Sequence, residues 1–183
     1  MRLFTALDLP DDVVRNLESL VSGLRPKAHI QWSPPANLHV TTKFIGEFPE
    51  EKLAKLQAAF AALHDRAPIE VTVSRLGFFP NERSPRVFWC GIDAPGLEEL
   101  ASDTESAAAT LGVARENRPF SPHLTLARIK ERPDLSRLHH SIDALPTRDF
   151  GRFTAQSFFL YRSQLRPTGS VYTKLAEFPF SKR

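Results

Sequence analysis

His39-Val40-Thr41-Thr42-Lys43-Phe44 and His123-Leu124-Thr125-Leu126-Ala127-Arg128 are two copies of one short pattern, a histidine and a threonine two positions apart in an apolar stretch. Residues i and i+2 of a strand point to the same face, so each histidine shares a face with its threonine. If the two strands are neighbours, two imidazoles and two hydroxyls converge. With an ordinary pKa near ~6.5, one imidazole can accept a proton at neutral pH while the other donates one. That is the equipment for acid-base catalysis on a phosphodiester. Thr41 and Thr125 would offer hydroxyl donors to the non-bridging phosphate oxygens without the desolvation that a buried charge suffers. A single His-x-Thr in a strand is ordinary, since threonine favours strands; the second copy is what makes a site of the pair.

Outward from the motifs, strand-like and helix-like segments alternate. Residues 3–9 read as a strand, and Pro10-Asp11-Asp12 starts a helix with Val13, Val14, Leu17, Leu20, Val21 and Leu24 at helical spacing, ended by Gly23 and Pro26. Pro49-Glu50-Glu51 opens a second helix with Leu53, Leu56, Phe60 and Leu63 on one face, and His64 near its end satisfies terminal carbonyls. Residues 69–76 and 86–92 read as strands joined by a loop over 79–85, and 97–111 as a third helix. A short amphipathic piece follows near Leu135, Leu138, Ile142 and Leu145. Two closing strands, 151–163 and 170–178, form a hairpin around Pro167-Thr168-Gly169. Each half thus holds a helix, a His-x-Thr strand, another helical segment and a strand pair. The arrangement predicts an α+β fold with two related lobes.

These residues resemble the 2H phosphoesterases, most closely the RNA 2',3'-cyclic phosphodiesterases also described as 2'-5' RNA ligases. The likeness runs from Arg2-Leu3-Phe4-Thr5-Ala6-Leu7-Asp8-Leu9-Pro10 through both motifs, Pro85-Arg86-Val87-Phe88-Trp89-Cys90-Gly91 and Arg118-Pro119-Phe120-Ser121-Pro122 to the segment from Leu160 to Tyr172. Thr42 departs from an apolar preference at that place and is expected to face away from the site. The resemblance implies one domain over 1–183, built of two pseudo-symmetric lobes of antiparallel-rich sheet with flanking helices around a central cleft. It also implies His39 as proton donor and His123 as proton acceptor. The implied reaction opens 2',3'-cyclic phosphate ends of RNA or nucleosides to 2'-phosphates, with weak 2'-5' ligation as its reverse.

The bulk numbers permit this. A chain of 183 residues, 42% hydrophobic and 25% charged, buries a real core. A net charge of +3 and a pI near 9.2 suit a polyanionic partner such as RNA with cyclic phosphate ends, or a cyclic nucleotide. The single cysteine, Cys90, excludes an internal disulfide and reads as core. No signal peptide or membrane-length apolar run is visible, so a cytoplasmic protein is expected, and a monomer. Neither motif places a second ligand beside its histidine, and no Gly-x-x-x-x-Gly-Lys-Ser/Thr loop or dinucleotide fingerprint occurs, so no metal and no cofactor are expected.

Further substrate-binding candidates follow from parity and loop position. Lys43 has the strand parity of His39 and Thr41 and would add positive charge near a phosphate. Arg128 has the opposite parity from His123 and reaches phosphate only if the strand end twists or bulges. Among the aromatic residues, Phe48 and Phe79 fall beside predicted turns and are the candidates for stacking a base, ahead of Phe44, Trp89 and Phe120. Two rival readings keep the fold and change the role: a module that binds phosphorylated RNA ends without turnover, or a phosphodiesterase for a small cyclic-phosphate metabolite.

Overall fold

The computed structural model describes residues 1–182, in which nine strands form two antiparallel sheets. In chain order these are β1 (Arg2–Leu7), β2 (Gln31–Trp32), β3 (Val40–Glu47), β4 (Ile69–Phe79), β5 (Val87–Asp93), β6 (His123–Arg128), β7 (Asp149–Ala155), β8 (Ser157–Arg166) and β9 (Gly169–Pro179). The helices are α1 (Asp11–Leu24), α2 (Leu53–Ala61), α3 (Leu97–Ala109) and α4 (Ser136–Asp143). One sheet has the order β3-β1-β8-β9 and the other β2-β6-β5-β4-β7.

The two lobes are present but do not coincide with the two halves of the chain. The first sheet is made from both ends of the sequence, because β8 pairs with β1. The expected strand over 151–163 is in fact two, β7 and β8, which part at Gln156 and belong to different sheets. Helices are exchanged as well: α1, which follows β1, packs on β7, and α3, which follows β5, packs on β3. Each motif strand lies antiparallel beside the strand that precedes its helix, β3 beside β1 and β6 beside β5.

Alternation in the strands decides which face is the back. Phe158 and Leu160 of β8 are fully buried, and Phe158 meets Phe60 of α2 edge-on at 6.1 Å. Phe88, Cys90 and Ile92 form the matching back of β5. Each fully buried Phe or Leu of this kind contributes about 1.5–3 kcal/mol through lost water contact. The opposite faces carry Phe4 and Tyr161 in the first sheet and Trp89 and Thr125 in the second, which is the one-side-apolar pattern of antiparallel sheets. Cys90 is core, as expected, and burial pushes its thiol up to about 12.

Candidate active site

Both motif strands carry one extra residue at the same place. In β3, Thr41 pairs with Ala6 and Lys43 with Thr5, leaving Thr42 as a bulge; in β6, Thr125 pairs with Trp89 and Ala127 with Phe88, leaving Leu126 as one. A bulge shifts the alternation by one residue. Past it, the residue that returns to the histidine's face is the sixth of the motif, Phe44 or Arg128, whose strand partners Phe4 and Val87 lie on the same face as those of the threonines. Arg128 therefore does face the site, by the bulge that parity alone could not reveal.

The same bulge takes Lys43 out of the parity of His39 and Thr41; it still borders the cavity, but its charge is already paired. It shares its face with Thr5, is 3% exposed, and its ammonium lies 2.9 Å from Glu105 and 3.9 Å from Glu116 while donating to the Ala114 carbonyl. Its charge is spent on α3 and the segment leading to the second motif. Thr42 is buried with its hydroxyl bonded to that of Thr5 at 2.7 Å, away from the histidines as expected.

The two histidines are anchored alike. Nδ1 of His39 donates to the carbonyl of Asn37 at 2.6 Å, and Nδ1 of His123 to that of Ser121 at 2.7 Å. A carbonyl only accepts, so each Nδ1 carries hydrogen, and in the neutral ring the lone pair is on Nε2, at the opposite edge. The Thr41 hydroxyl lies 2.9 Å from Nε2 of His39 and donates to it when the ring is neutral. Thr41 and His123 line a cavity of about 920 Å³, and His39 stands within electrostatic reach of both His123 and Arg128. The segment before the first motif brings the lobes together: Ser33 donates to the Thr125 and Leu126 carbonyls, and Asn37 to the Ser170 carbonyl.

Their surroundings differ. His39 is enclosed by Phe4, stacked at 4.7 Å, and by Tyr172, edge-on at 5.3 Å, with Tyr161 stacked behind Phe4. This burial pulls its pKa down from 6.5 to about 4; the Asn37 hydrogen bond and the nearby Asp8 carboxylate push up, and Arg128 and His123 push down. Asp8 itself accepts hydrogen bonds from Tyr161 and, at 2.6 Å, from Lys174. Burial and the Asp8 bond raise the Tyr161 phenol far above its ordinary range. His123 meets only Phe79 edge-on, at 5.0 Å, on the cavity wall.

The aromatic expectations divide. Phe79 lines the cavity, although it ends β4 rather than sitting in a loop. Phe48 does not serve: it is 4% exposed in the core, its amide tied to the Met1 carbonyl. Phe44 takes the cleft-side place, 45% exposed with the Arg2 guanidinium 5.1 Å over its ring. Asp8, Phe4, Asn37 and Tyr172 were not legible as site residues. Phe4 could have been found from its parity with Ala6 had the β1–β3 pairing been known; Asn37 and Tyr172 carry no local signal. Among the described residues no three His, Cys, Asp or Glu side chains gather as a metal-binding group.

The sequence signature described as "LigT like Phosphoesterase" matches residues 7–89 and 92–172, together most of the chain and both motifs. The chain belongs to the LigT-like phosphoesterase family. Among its relatives, the RNA 2',3'-cyclic phosphodiesterases of Methanocaldococcus jannaschii and Thermus thermophilus are 33% and 34% identical to it; each alignment covers 97% of this chain, and 99% and 89% of the respective relative. In structure, a crystallised protein of Thermus thermophilus superposes with a TM-score of 0.84 at 33% identity over 100% of this chain and 99% of its own. The LigT of E. coli complexed with 3'-AMP superposes with a TM-score of 0.79 at 29% identity, covering 99% of this chain and 98% of its own. No helix among the described residues of this LigT-like phosphoesterase is long and apolar enough to cross a membrane.

Proposed function

We propose that this protein hydrolyses RNA 2',3'-cyclic phosphate ends to 2'-phosphates by acid-base catalysis between His39 and His123. The observation that carries the reading is the matched anchoring of the two imidazoles, each held through Nδ1 by the carbonyl two residues before it, with Nε2 turned to the opposite edge, where that of His39 meets only the Thr41 hydroxyl. Water attacks phosphorus; its oxygen forms the new P–O bond, and its proton passes to Nε2 of His123. The bond from phosphorus to the ribose 3' oxygen breaks, and that oxygen takes the proton from Nε2 of His39. Thr41 and Thr125 donate hydroxyl hydrogens to the non-bridging oxygens as charge develops, and Arg128 adds a fixed cation on the same face. With a 5' hydroxyl attacking in place of water, the same groups join two ends through a 2'-5' linkage.

His39 must enter this reaction protonated, although burial keeps it neutral in the free protein above about pH 4. The negative charge of the bound cyclic phosphate supplies the missing proton affinity, so substrate binding and protonation of His39 are coupled. We place catalysis in a single 183-residue unit acting as a monomer in the cytoplasm, with the cleft between lobes as its one active site.

The test is to incubate the protein with EDTA and each nucleoside 2',3'-cyclic phosphate, and with an oligonucleotide bearing the same end, and to identify the product isomer. A 2'-phosphate formed undiminished by chelator is expected. Binding without turnover would make the protein an RNA-end binding module, and turnover of a non-nucleotide cyclic phosphate alone would move it to small-metabolite chemistry.

A further inference from the structure

Arg128 stands between the histidines and a second hollow. On one side its charge acts on His39 and Tyr172; on the other it lines a groove of about 460 Å³ with His29, Gln31, Lys130 and Glu131. Arg86 closes the gap between them. It lines the catalytic cavity, its guanidinium donates to the Lys130 carbonyl at 2.9 Å, and its own carbonyl accepts from the Ile129 amide. Arg86, Arg128 and Lys130 are all exposed, and among the described residues none of them forms an ion pair. Three cations with no ion pair, against the single acid Glu131 of the groove, leave this edge net positive, and with Arg128 facing the reaction site that suits an anion larger than a single phosphate.

The far end of the catalytic cavity has the opposite sign. Glu98, Glu105 and Glu116 line it; Lys43 there is buried against two of them, and Arg118 is the one exposed cation among them, so among the described residues three acids face a single free cation. A polyanion entering the cleft is repelled by that end and drawn toward the other. The groove also runs along the edge strand β2, where Gln31, paired opposite Arg128, presents an exposed side-chain amide able to donate and to accept.

We propose that this groove holds the RNA strand upstream of the cyclic phosphate, its backbone phosphates passing from Arg128 to Lys130 along β2. The inference rests on the function proposed above and narrows its substrate class to polynucleotide ends in preference to single nucleotides. Chemically the direction is forced: a 2',3'-cyclic phosphate is a 3' end, so the chain continues only from the 5' oxygen of that ribose. Lys130 lies two residues past Arg128, about 7 Å of extended backbone, which places its ammonium beside the next phosphates and outside the reacting group.

The experiment compares kcat/KM for a trinucleotide ending in a 2',3'-cyclic phosphate with that for a nucleoside 2',3'-cyclic phosphate, across KCl concentration, in the wild type, Lys130→Gln and Lys130→Glu. The wild type should favour the trinucleotide, with a preference that shrinks as salt rises. Lys130→Gln should lower kcat/KM for the trinucleotide by about threefold and Lys130→Glu by about tenfold, and flatten the logarithmic salt slope by about 0.7 for the phosphate contact removed. The nucleoside cyclic phosphate, whose rate also reports intact folding, should be turned over unchanged. Equal loss on both substrates, or a wild type indifferent to chain length and salt, overturns the groove while leaving the hydrolytic function standing. A wild type inactive on both substrates removes the function and the groove together.

Discussion

Titrating His39 in the free protein, and again with a nucleoside 2'-phosphate in the cleft, tests the coupling between substrate charge and catalytic proton. Burial among Phe4, Tyr161 and Tyr172 holds the imidazole near 4. At pH 7 that leaves about one molecule in a thousand protonated, and adding the proton costs about 4 kcal/mol at 1.36 kcal/mol per pKa unit. A phosphate anion about 4 Å from the imidazolium returns about 4 kcal/mol at an effective dielectric constant near 20. The two magnitudes are equal, so the substrate's own charge suffices to arm the acid. Following the His39 ring by NMR should show a midpoint near 4 in the free protein, moved up by roughly two to three units when the ligand saturates the cleft. Kinetically, the acid limb of kcat/KM should lie near 4 and that of kcat higher, since the first reports free enzyme and the second the complex. A midpoint at the ordinary 6.5 in the free protein would refute the burial argument. A midpoint near 4 that ligand does not move, with undiminished turnover at neutral pH, would take the donor role away from His39.

His39→Ala and His123→Ala should each reduce turnover by about 10² to 10⁴-fold with substrate binding less affected, and a single variant of near-full rate removes that histidine from the mechanism. Thr41→Val and Thr125→Val keep the shape and lose the hydroxyl, so each should cost about tenfold or more in kcat; unchanged kinetics in both would reduce the threonines to strand formers. Because the folded value of His39 lies below its unfolded 6.5, the unfolded chain holds the extra proton between the two values. The associated stability is complete above 6.5 and is lost as pH falls toward 4, about 3 kcal/mol in all; urea midpoints across that range should fall less steeply in His39→Ala, and parallel curves would contradict this. A Cβ at Gly77 would sit 2.2 Å from the Trp89 ring, so Gly77→Ala should displace that ring beside Thr125 and destabilise by about 1–3 kcal/mol, read as a lower melting temperature.

What was legible in the sequence is what periodicity and chain punctuation encode. The four helices, the back faces of the strands and the two histidine motifs are properties of consecutive residues, and they lie where the patterns place them, within a few residues at their ends. What was hidden depends on pairing. Nothing local to Phe150-Gly151-Arg152-Phe153 and Phe158-Phe159-Leu160 says that the chain changes sheets at Gln156, because both sides are good strand sequence. Phe48 beside Pro49 looks like a loop aromatic until its amide is seen bound to the Met1 carbonyl. The bulges at Thr42 and Leu126 are visible only against their partner strands, and they reverse the reading of Lys43 while bringing Arg128 onto the active face.

The two bulges also bear on how nearly equal motifs would do the unequal work proposed for them. By repeating the same backbone irregularity after each threonine, the fold gives both histidines one frame: Nδ1 on a carbonyl, Nε2 at the opposite edge, and the sixth residue turned back to the site, with Thr41 alone bonded to its histidine's Nε2. Geometry alone would make them interchangeable, and two interchangeable bases cannot divide a proton donor's task from an acceptor's. The difference comes from what the symmetric frame carries. At the sixth position one lobe places Phe44 and the other Arg128, and around the histidine one lobe places Phe4 and Tyr172 where the other leaves an open cavity with Phe79 at its wall. Catalytic pairs work when their environments push their proton affinities apart. In the mechanism proposed above, the backbone supplies the likeness that would aim both groups at one phosphorus, and the side chains packed upon it supply the unlikeness that would let one of them give a proton while the other takes one.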